Sequence, residues 1–205
     1  LTSVAGIRYD KYDDFGTSIN PKLSLLYKLS DFNFRTSYGE AFKAPSFTYM
    51  YSNFTRSAGV IKYDISGNED LKPEESKTYE YAINYKKEKF DFDIIHHRTK
   101  LDNLINSYTI SYTPSTKTFK TGYQNIANAT INGTEISTKY SFDNGFGVNL
   151  GWEYLDTEDE IAHTRLTGSA KTTDKINLFY EMNNLGVYLD IKKYNDYFGT
   201  NESRL

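Results

Sequence analysis

The sequence predicts an all-β chain: an antiparallel up-and-down transmembrane β-barrel portion of about nine strands with alternating short turns and long loops. Three observations predict it. Apolar and polar residues alternate with period two along most of the chain, which gives a sheet one apolar and one polar face. Short and long polar connections alternate between those segments. Aromatic residues are abundant, 19 Tyr and 13 Phe against one Trp, as the girdles at the two membrane interfaces of a barrel require.

The elements follow in order. Ala5, Ile7 and Tyr9 form a weak first strand, followed by a polar connection over 10–18. Leu23, Leu25, Tyr27 and Leu29 oppose Lys22, Ser24 and Lys28, with Leu26 out of pattern. A tight turn at Ser30-Asp31 leads to Phe32, Phe34, Thr36 and Tyr38, opposed by Asn33, Arg35, Ser37 and Gly39. After a long connection over 43–73, Tyr79, Tyr81, Ile83 and Tyr85 oppose Thr78, Glu80, Asn84 and Lys86. Lys87-Glu88-Lys89 turns the chain into Phe90, Phe92 and Ile94, opposed by Asp91 and Asp93. A second long connection covers 106–122. Ile136, Tyr140 and Phe142 then oppose Glu135, Ser137 and Lys139. Beyond Asp143-Asn144-Gly145 comes the cleanest strand, 146–154, with Phe146, Val148, Leu150, Trp152 and Tyr154 on one face. A long connection over 156–172 precedes Ile176, Leu178 and Tyr180. A turn at 183–185 precedes Val187, Leu189 and Ile191, and a polar segment runs from 195 onward. Tight hairpin turns at one end and longer loops at the other mark an outer-membrane barrel.

Composition narrows the function classes. No run approaches the roughly 18 apolar residues of a transmembrane helix. The near balance of 24 basic and 27 acidic residues, net −3, argues against a nucleic-acid partner. Without Cys there is no disulfide scaffold, thiolate metal site or Cys nucleophile. Phosphate loops, nucleophile elbows and zinc motifs are missing, so no enzyme, cofactor or metal centre is expected. His96 and His97 are adjacent on a strand and point to opposite faces, so they cannot chelate as a pair. Asp91 and Asp93 share the polar face of a wall rather than forming an acid–base pair. The N-terminus carries neither a charged n-region nor an apolar h-region of a signal peptide.

Two motifs flank the longest loop. Tyr38-Gly39-Glu40-Ala41-Phe42-Lys43-Ala44-Pro45 ends one strand, and Gly67-Asn68-Glu69-Asp70-Leu71-Lys72-Pro73-Glu74 leads into the next. Pro45 restricts Ala44 to extended geometry, Gly67-Asn68 permits a sharp turn, and Pro73 sits where a strand tolerates a missing N–H. Together they resemble the Tyr-Gly-Glu-Gly-Phe-Arg/Lys-Ala-Pro and Asn-Pro-Asp/Asn-Leu-Lys-Pro-Glu pair of the TonB-dependent outer-membrane receptor family. Ala5-Gly6-Ile7-Arg8-Tyr9-Asp10 is similar to a third strand of that family. Tyr123-Gln124-Asn125-Ile126-Ala127-Asn128-Ala129 with Gly133-Thr134-Glu135 is similar to a fourth. Ala41 and Glu69 stand where the family usually has Gly and Pro. The resemblance implies that residues 1–205 form part of a receptor barrel of about 22 strands, without its plug domain and its closing C-terminal strand.

What the resemblance implies for function is active uptake of a scarce nutrient across the bacterial outer membrane. The cargo would be a ferric siderophore or other iron chelate, with haem or cobalamin as alternatives. The partners would be outer-membrane lipid, the small-molecule chelate, and TonB acting through the plug. A passive porin-like channel and a soluble β-rich carbohydrate-binding or adhesive module are the competing readings. Aromatic and cationic residues on the long loops suit an anionic, ring-bearing ligand. The expected ligand-binding residues are Tyr49, Tyr51, Phe54, Arg56, Tyr63, Tyr108 and Tyr112. Haem receptors of the family commonly place an axial His between the two loop motifs. Ser46 to Gly67 contains none, which leaves only a Tyr phenolate for that role and ranks a preformed iron chelate above haem.

Overall fold

The computed structural model describes residues 1–126 and 128–199. Ala127, within the Tyr123–Ala129 motif, and residues 200–205 lie outside the described residues. Nine long strands form one sheet: β1 (Thr2–Tyr12), β2 (Gly16–Leu29), β3 (Phe32–Lys43), β6 (Glu74–Lys87), β7 (Phe90–Asp102), β10 (Asn128–Ser141), β11 (Phe146–Asp159), β12 (Ser169–Met182) and β13 (Leu185–Phe198). Each pairs antiparallel with the next in that order. The two longest connections build the rest. One holds α1 (Phe47–Tyr51), β4 (Asn53–Ala58) and β5 (Ile61–Ser66); the other holds β8 (Ile105–Thr113) and β9 (Thr118–Asn125). These four short strands make a second sheet in the order β4-β5-β9-β8.

The register carries the predicted alternation across the whole wall. One row of Cα partners runs Leu29, Phe32, Tyr85, Phe92, Thr138, Leu150, Ile176, Ile191. The next on the same face runs Tyr27, Phe34, Ile83, Ile94, Ile136, Trp152. The opposite face carries Arg35 with Glu80 at 3.0 Å, Lys86 with Asp91 at 3.1 Å and Lys175 with Glu153 at 3.0 Å. Leu25, Tyr81, Ile94, Leu150, Trp152 and Leu189 therefore share the apolar face. Arg35, Glu80, Asp93, Glu135, Asn149 and Glu181 share the polar one.

The sheet has no protein core over its apolar face. Among the described residues the buried apolar side chains are Pro45, Met50, Leu71, Ala82 and Ala129, whereas Leu150 is 44% and Leu189 53% exposed. A face so exposed belongs against hydrocarbon. Aromatic rings collect at its two ends. Phe32 and Tyr85 lie 4.8 Å apart and Phe146 and Tyr180 4.5 Å apart near the short turns. At the other end Tyr38 and Tyr79 lie 4.8 Å apart and Trp152 stacks on Tyr154 at 6.2 Å. Among the described residues β1 and β13 are the two unpaired edges, so the sheet is an arc of wall.

Three boundaries differ from expectation; one is the polar segment expected from 195 onward, where β13 instead continues to Phe198. The connection expected over 10–18 shrinks to Asp13–Phe15, because β1 runs on to Tyr12 and β2 starts at Gly16. Asn20 donates to Asp10 Oδ2 at 3.2 Å and to Ser18 Oγ at 3.1 Å, and Arg8 pairs with Asp10 at 2.6 Å. Asp10 and Ser18 read as loop in the sequence but pair as a strand rung next to Arg8 and Asn20. For the same reason β11 reaches Asp159 and β12 starts at Ser169, which shortens the expected 156–172 connection.

His96 and His97 fall on opposite faces, as period-two geometry requires. His96 Nδ1 meets Thr134 Oγ1 at 3.0 Å on the apolar side. His97 lies over Gly133, where a Cβ would fall 2.0 Å from its Nε2. The glycine of the Gly133-Thr134-Glu135 motif thus makes room for a cross-strand imidazole on the lumen side.

Candidate ligand-binding sheet at the loop end

The loop sheet begins with a capped turn. Ser46 Oγ accepts from Tyr49 N at 3.3 Å and starts α1 directly after the buried Pro45. Met50 then points inward beside Leu71, 3% exposed. Gly67 closes the loop against α1 so tightly that a Cβ would sit 2.3 Å from Met50 O. Only glycine permits that approach.

Three motif side chains tie the loops to the wall. Asn68 Nδ2 donates to Tyr123 O at 3.0 Å, while its backbone N donates to Tyr49 O at 2.9 Å. Asn125 Oδ1 accepts from Lys72 N at 2.8 Å, and its Nδ2 donates to Lys72 O at 2.9 Å and Asn103 O at 2.6 Å. Glu74 Oε1 accepts from Ile105 N at 2.9 Å while Oε2 pairs with Lys43 Nζ at 2.6 Å. The motifs recognised in the sequence therefore form one clamp at the root of both long connections.

Above the clamp, β5 and β9 pair parallel. Parallel pairing needs a long crossover, and here the crossover is the wall hairpin β6–β7 followed by β8. The pairing lines up one row over four strands: Arg56 opposite Tyr63, Tyr63 opposite Phe119, Phe119 opposite Tyr112. Tyr63 and Phe119 stack at 5.6 Å and 17°, and Phe119 meets Tyr112 at 4.4 Å and 30°. Phe54 and Ile65 occupy the next rung of that face. Toward the root, Tyr49 of α1 packs on Tyr123 at 4.7 Å. The opposite face of β4 and β5 is polar: Thr55 Oγ1 donates to Asp64 Oδ1 at 2.7 Å, and Lys120 is the Cα partner of Asp64.

Of the seven residues expected to bind ligand, the structure brings Arg56, Tyr63 and Tyr112 into one row and sets Phe54 beside it. Tyr49 is half-buried at the sheet's root. Tyr51 is exposed at the end of α1, next to Phe47 at 6.1 Å. Tyr108 lies on the other face, packed over Gly122. Phe119, the centre of the row, was absent from the expected set. Its period-two companions Thr121 and Tyr123 are the signal that marks it as strand rather than loop. Arg56 is exposed and makes no ion pair among the described residues. The face thus offers stacked rings with a free guanidinium at one end, suited to flat, electron-rich, anionic groups.

Comparison with known proteins identifies the family of the chain. A family profile described as "TonB dependent receptor-like, beta-barrel" matches residues 1–204. The chain is 27% identical over 178 residues to the vitamin B12 transporter BtuB of Photobacterium profundum, covering 85% of this chain and 27% of that protein. It is 27% identical over 158 residues to the heme/hemopexin utilization protein C of Haemophilus influenzae, covering 65% and 22%. Its fold matches the siderophore receptor PirA of Acinetobacter baumannii with a TM-score of 0.71 at 21% identity, over 94% of this chain and 31% of that one. The chain spans about a quarter of the length of these curated relatives.

Proposed function

We propose, for a chain that belongs to the TonB-dependent receptor β-barrel family and lies in the outer membrane, that its receptor imports a ferric chelate with aromatic, anionic donor groups, of the catecholate siderophore class. The observation that carries this is the row Arg56–Tyr63–Phe119–Tyr112. Each ring that a ligand arene stacks on contributes roughly 0.5–1.5 kcal/mol beyond area burial. A guanidinium at the row's end answers the negative charge of a ferric tris-catecholate. Because the iron arrives already chelated, the protein needs contacts only to the chelate's outer surface. The wall and its clamp hold the row above the lumen. Energy coupling would come from TonB through the plug that receptors of this family carry.

Cobalamin is the second reading, and the similarity to the vitamin B12 transporter BtuB supports it. The two differ in charge dependence. Binding of an anionic ferric catecholate should weaken with salt and on Arg56→Gln, whereas binding of a corrin should be nearly insensitive to both. The test is equilibrium titration of the intact detergent-solubilised receptor with ferric tris-catecholate, cyanocobalamin and haem. Tight, salt-sensitive binding of the first supports the proposal. Tight binding of cyanocobalamin or haem with no measurable affinity for the catecholate overturns it.

A further inference from the structure

Leu26 breaks the alternation of β2, and the register sends it to the lumen. It stands between Thr2 and Arg35, on the face that carries Lys22, Ser24 and Lys28. Leu26 is half-buried, while Lys22 and Lys28 are exposed. Neither lysine makes an ion pair among the described residues. Lys22 has Gly6 as its partner on one side and Gly39 on the other, so neither neighbouring strand raises a side chain beside it. Its stem lies along β3, with Cγ 3.8 Å from where a Gly39 Cβ would fall. Val4, 60% exposed, forms the next row with Ser24 and Ser37. The motif glycines thus clear a trough on the lumen wall, with a cation at each end and Val4 and Leu26 between them. Lys22 and Lys28 are six residues apart, roughly 20 Å along an extended strand.

The charges around the trough decide its sign. Arg8 holds Asp10 at 2.6 Å and Arg35 holds Glu80 at 3.0 Å, so both neighbouring acids are neutralised within the wall. Nearer the loops, Lys43 and Glu74 pair at 2.6 Å. Asp31 lies in the turn below Lys28 and makes no ion pair with it. Farther round the lumen the sign reverses. Asp93 of β7 and Glu135 of β10 are on the lumen face and make no ion pair among the described residues. Lys139 on the same face of β10 lies over the Phe179 ring at 4.9 Å. On β12 and β13 the lysines stand beside acids: Lys175 pairs with Glu153 at 3.0 Å, and Lys192 is two residues from Asp190. An anion in the lumen is therefore drawn toward β2 and away from β7 and β10.

We infer that the trough formed by Lys22, Val4, Leu26 and Lys28 is the contact surface for the anionic chelate in transit through the lumen, below its recognition by the loop row. The inference rests on the catecholate reading given above. The same chemistry recurs at both places: Arg56 beside Tyr63 and Phe119 above, Lys22 beside Val4 and Leu26 here. Each offers a cation for the charge and an apolar surface for the arene. A one-signed trough fits a one-signed cargo, whereas a protein segment filling the lumen presents both signs. The lysines have no internal partner to give up when the cargo arrives or leaves, so the contact is weak and reversible, as passage requires.

The experiment measures binding and uptake on the same intact receptor: equilibrium titration with ferric tris-catecholate in detergent, and import of the radiolabelled complex by energised cells. The combined Lys22→Gln and Lys28→Gln variant should keep the wild-type Kd, while its maximal import rate falls about tenfold, as the loss of one charge contact implies. Lys22→Arg should import like wild type, and so should Lys192→Gln. Should the double variant fail to assemble, Lys22→Gln alone must still lower the rate and Lys22→Arg must retain it. Wild-type import by the assembled glutamine variants, with binding intact, overturns the inference alone. A fall in import accompanied by entry of a large hydrophilic antibiotic means that the lysines hold the segment filling the lumen, and overturns it as well. A wild-type receptor that does not bind ferric tris-catecholate overturns the catecholate reading and this inference with it.

Discussion

Leu150 and Asn149 are neighbours on β11 with opposite fates, and the contrast tests the face assignment one residue at a time. Leu150 sits in the apolar row between Thr138 and Ile176; Asn149 faces the polar side between Lys139 and Asn177. Leu150→Arg places a charge against hydrocarbon and costs about 2–4 kcal/mol near the bilayer midplane, whereas Asn149→Arg should be mild. Heat-modified electrophoretic mobility of the assembled receptor in outer-membrane extracts reads both; equal losses would contradict the assignment. A second residue-scale test lies at Gly67. Any Cβ there meets the Met50 carbonyl at 2.3 Å, so Gly67→Ala must displace α1 and should weaken ligand binding without lowering barrel yield. The wall residues were legible because a period-two pattern is local: each side chain announces its face through its neighbours two positions away. Phe119 was legible as a strand residue but not as a site residue, because its place in the row comes from Tyr63, brought alongside by a pairing 56 positions distant in the chain.

At the scale of elements, the clamp decides whether the two long connections act as one platform. Asn125 holds Lys72 and Asn103 together, and Glu74 holds Ile105 and Lys43. Asn125→Ala removes three hydrogen bonds at the junction, each worth about 1 kcal/mol net. Amide exchange in β4, β5, β8 and β9 should accelerate together while β10 to β13 stay protected. Acceleration confined to β8 and β9 would show that the loops are independent. The motif residues themselves were visible in the sequence, but their roles were not, since a resemblance names positions without saying what they touch. At the opposite end, Lys89 in the β6–β7 turn pairs with Asp143 of the β10–β11 turn. That hydrogen bond raises the Lys89 pKa above its ordinary value. A raised folded-state pKa means the pair's contribution is complete below the unfolded lysine value, ~10.4, and is lost as pH climbs through the folded value. Lys89→Met should therefore lower stability slightly at neutral pH, and the difference from wild type should fade as pH climbs through the folded lysine value. A difference that is absent at neutral pH and appears only above the folded lysine value would reverse the sign and refute the pairing.

For the whole molecule, the exposed apolar face and the two unpaired edges mean that lipid and further strands supply what a soluble protein's core would. An isolated 205-residue chain should not purify as a monodisperse monomer without detergent, because its edges and apolar band leave backbone and hydrocarbon surface unsatisfied. Size-exclusion chromatography with light scattering in plain buffer checks this. The fold class was readable because strand alternation and hairpin turns are set by nearby residues. The second sheet was hidden because β4, β5, β8 and β9 lie in stretches polar enough to pass for loop, and they pair with each other across the wall hairpin. The central claim is that this second sheet, held by the clamp above an outer-membrane wall, binds the cargo with its aromatic row. The most direct measurement is the dissociation constant of ferric tris-catecholate for the intact receptor carrying Tyr63→Leu and Phe119→Leu, compared with Thr55→Val on the opposite face of the same sheet. The account predicts a loss of about tenfold or more for the double variant, from one to two lost stacking contacts, and no change for Thr55→Val. Wild-type affinity in the double variant, with barrel assembly intact, would contradict it.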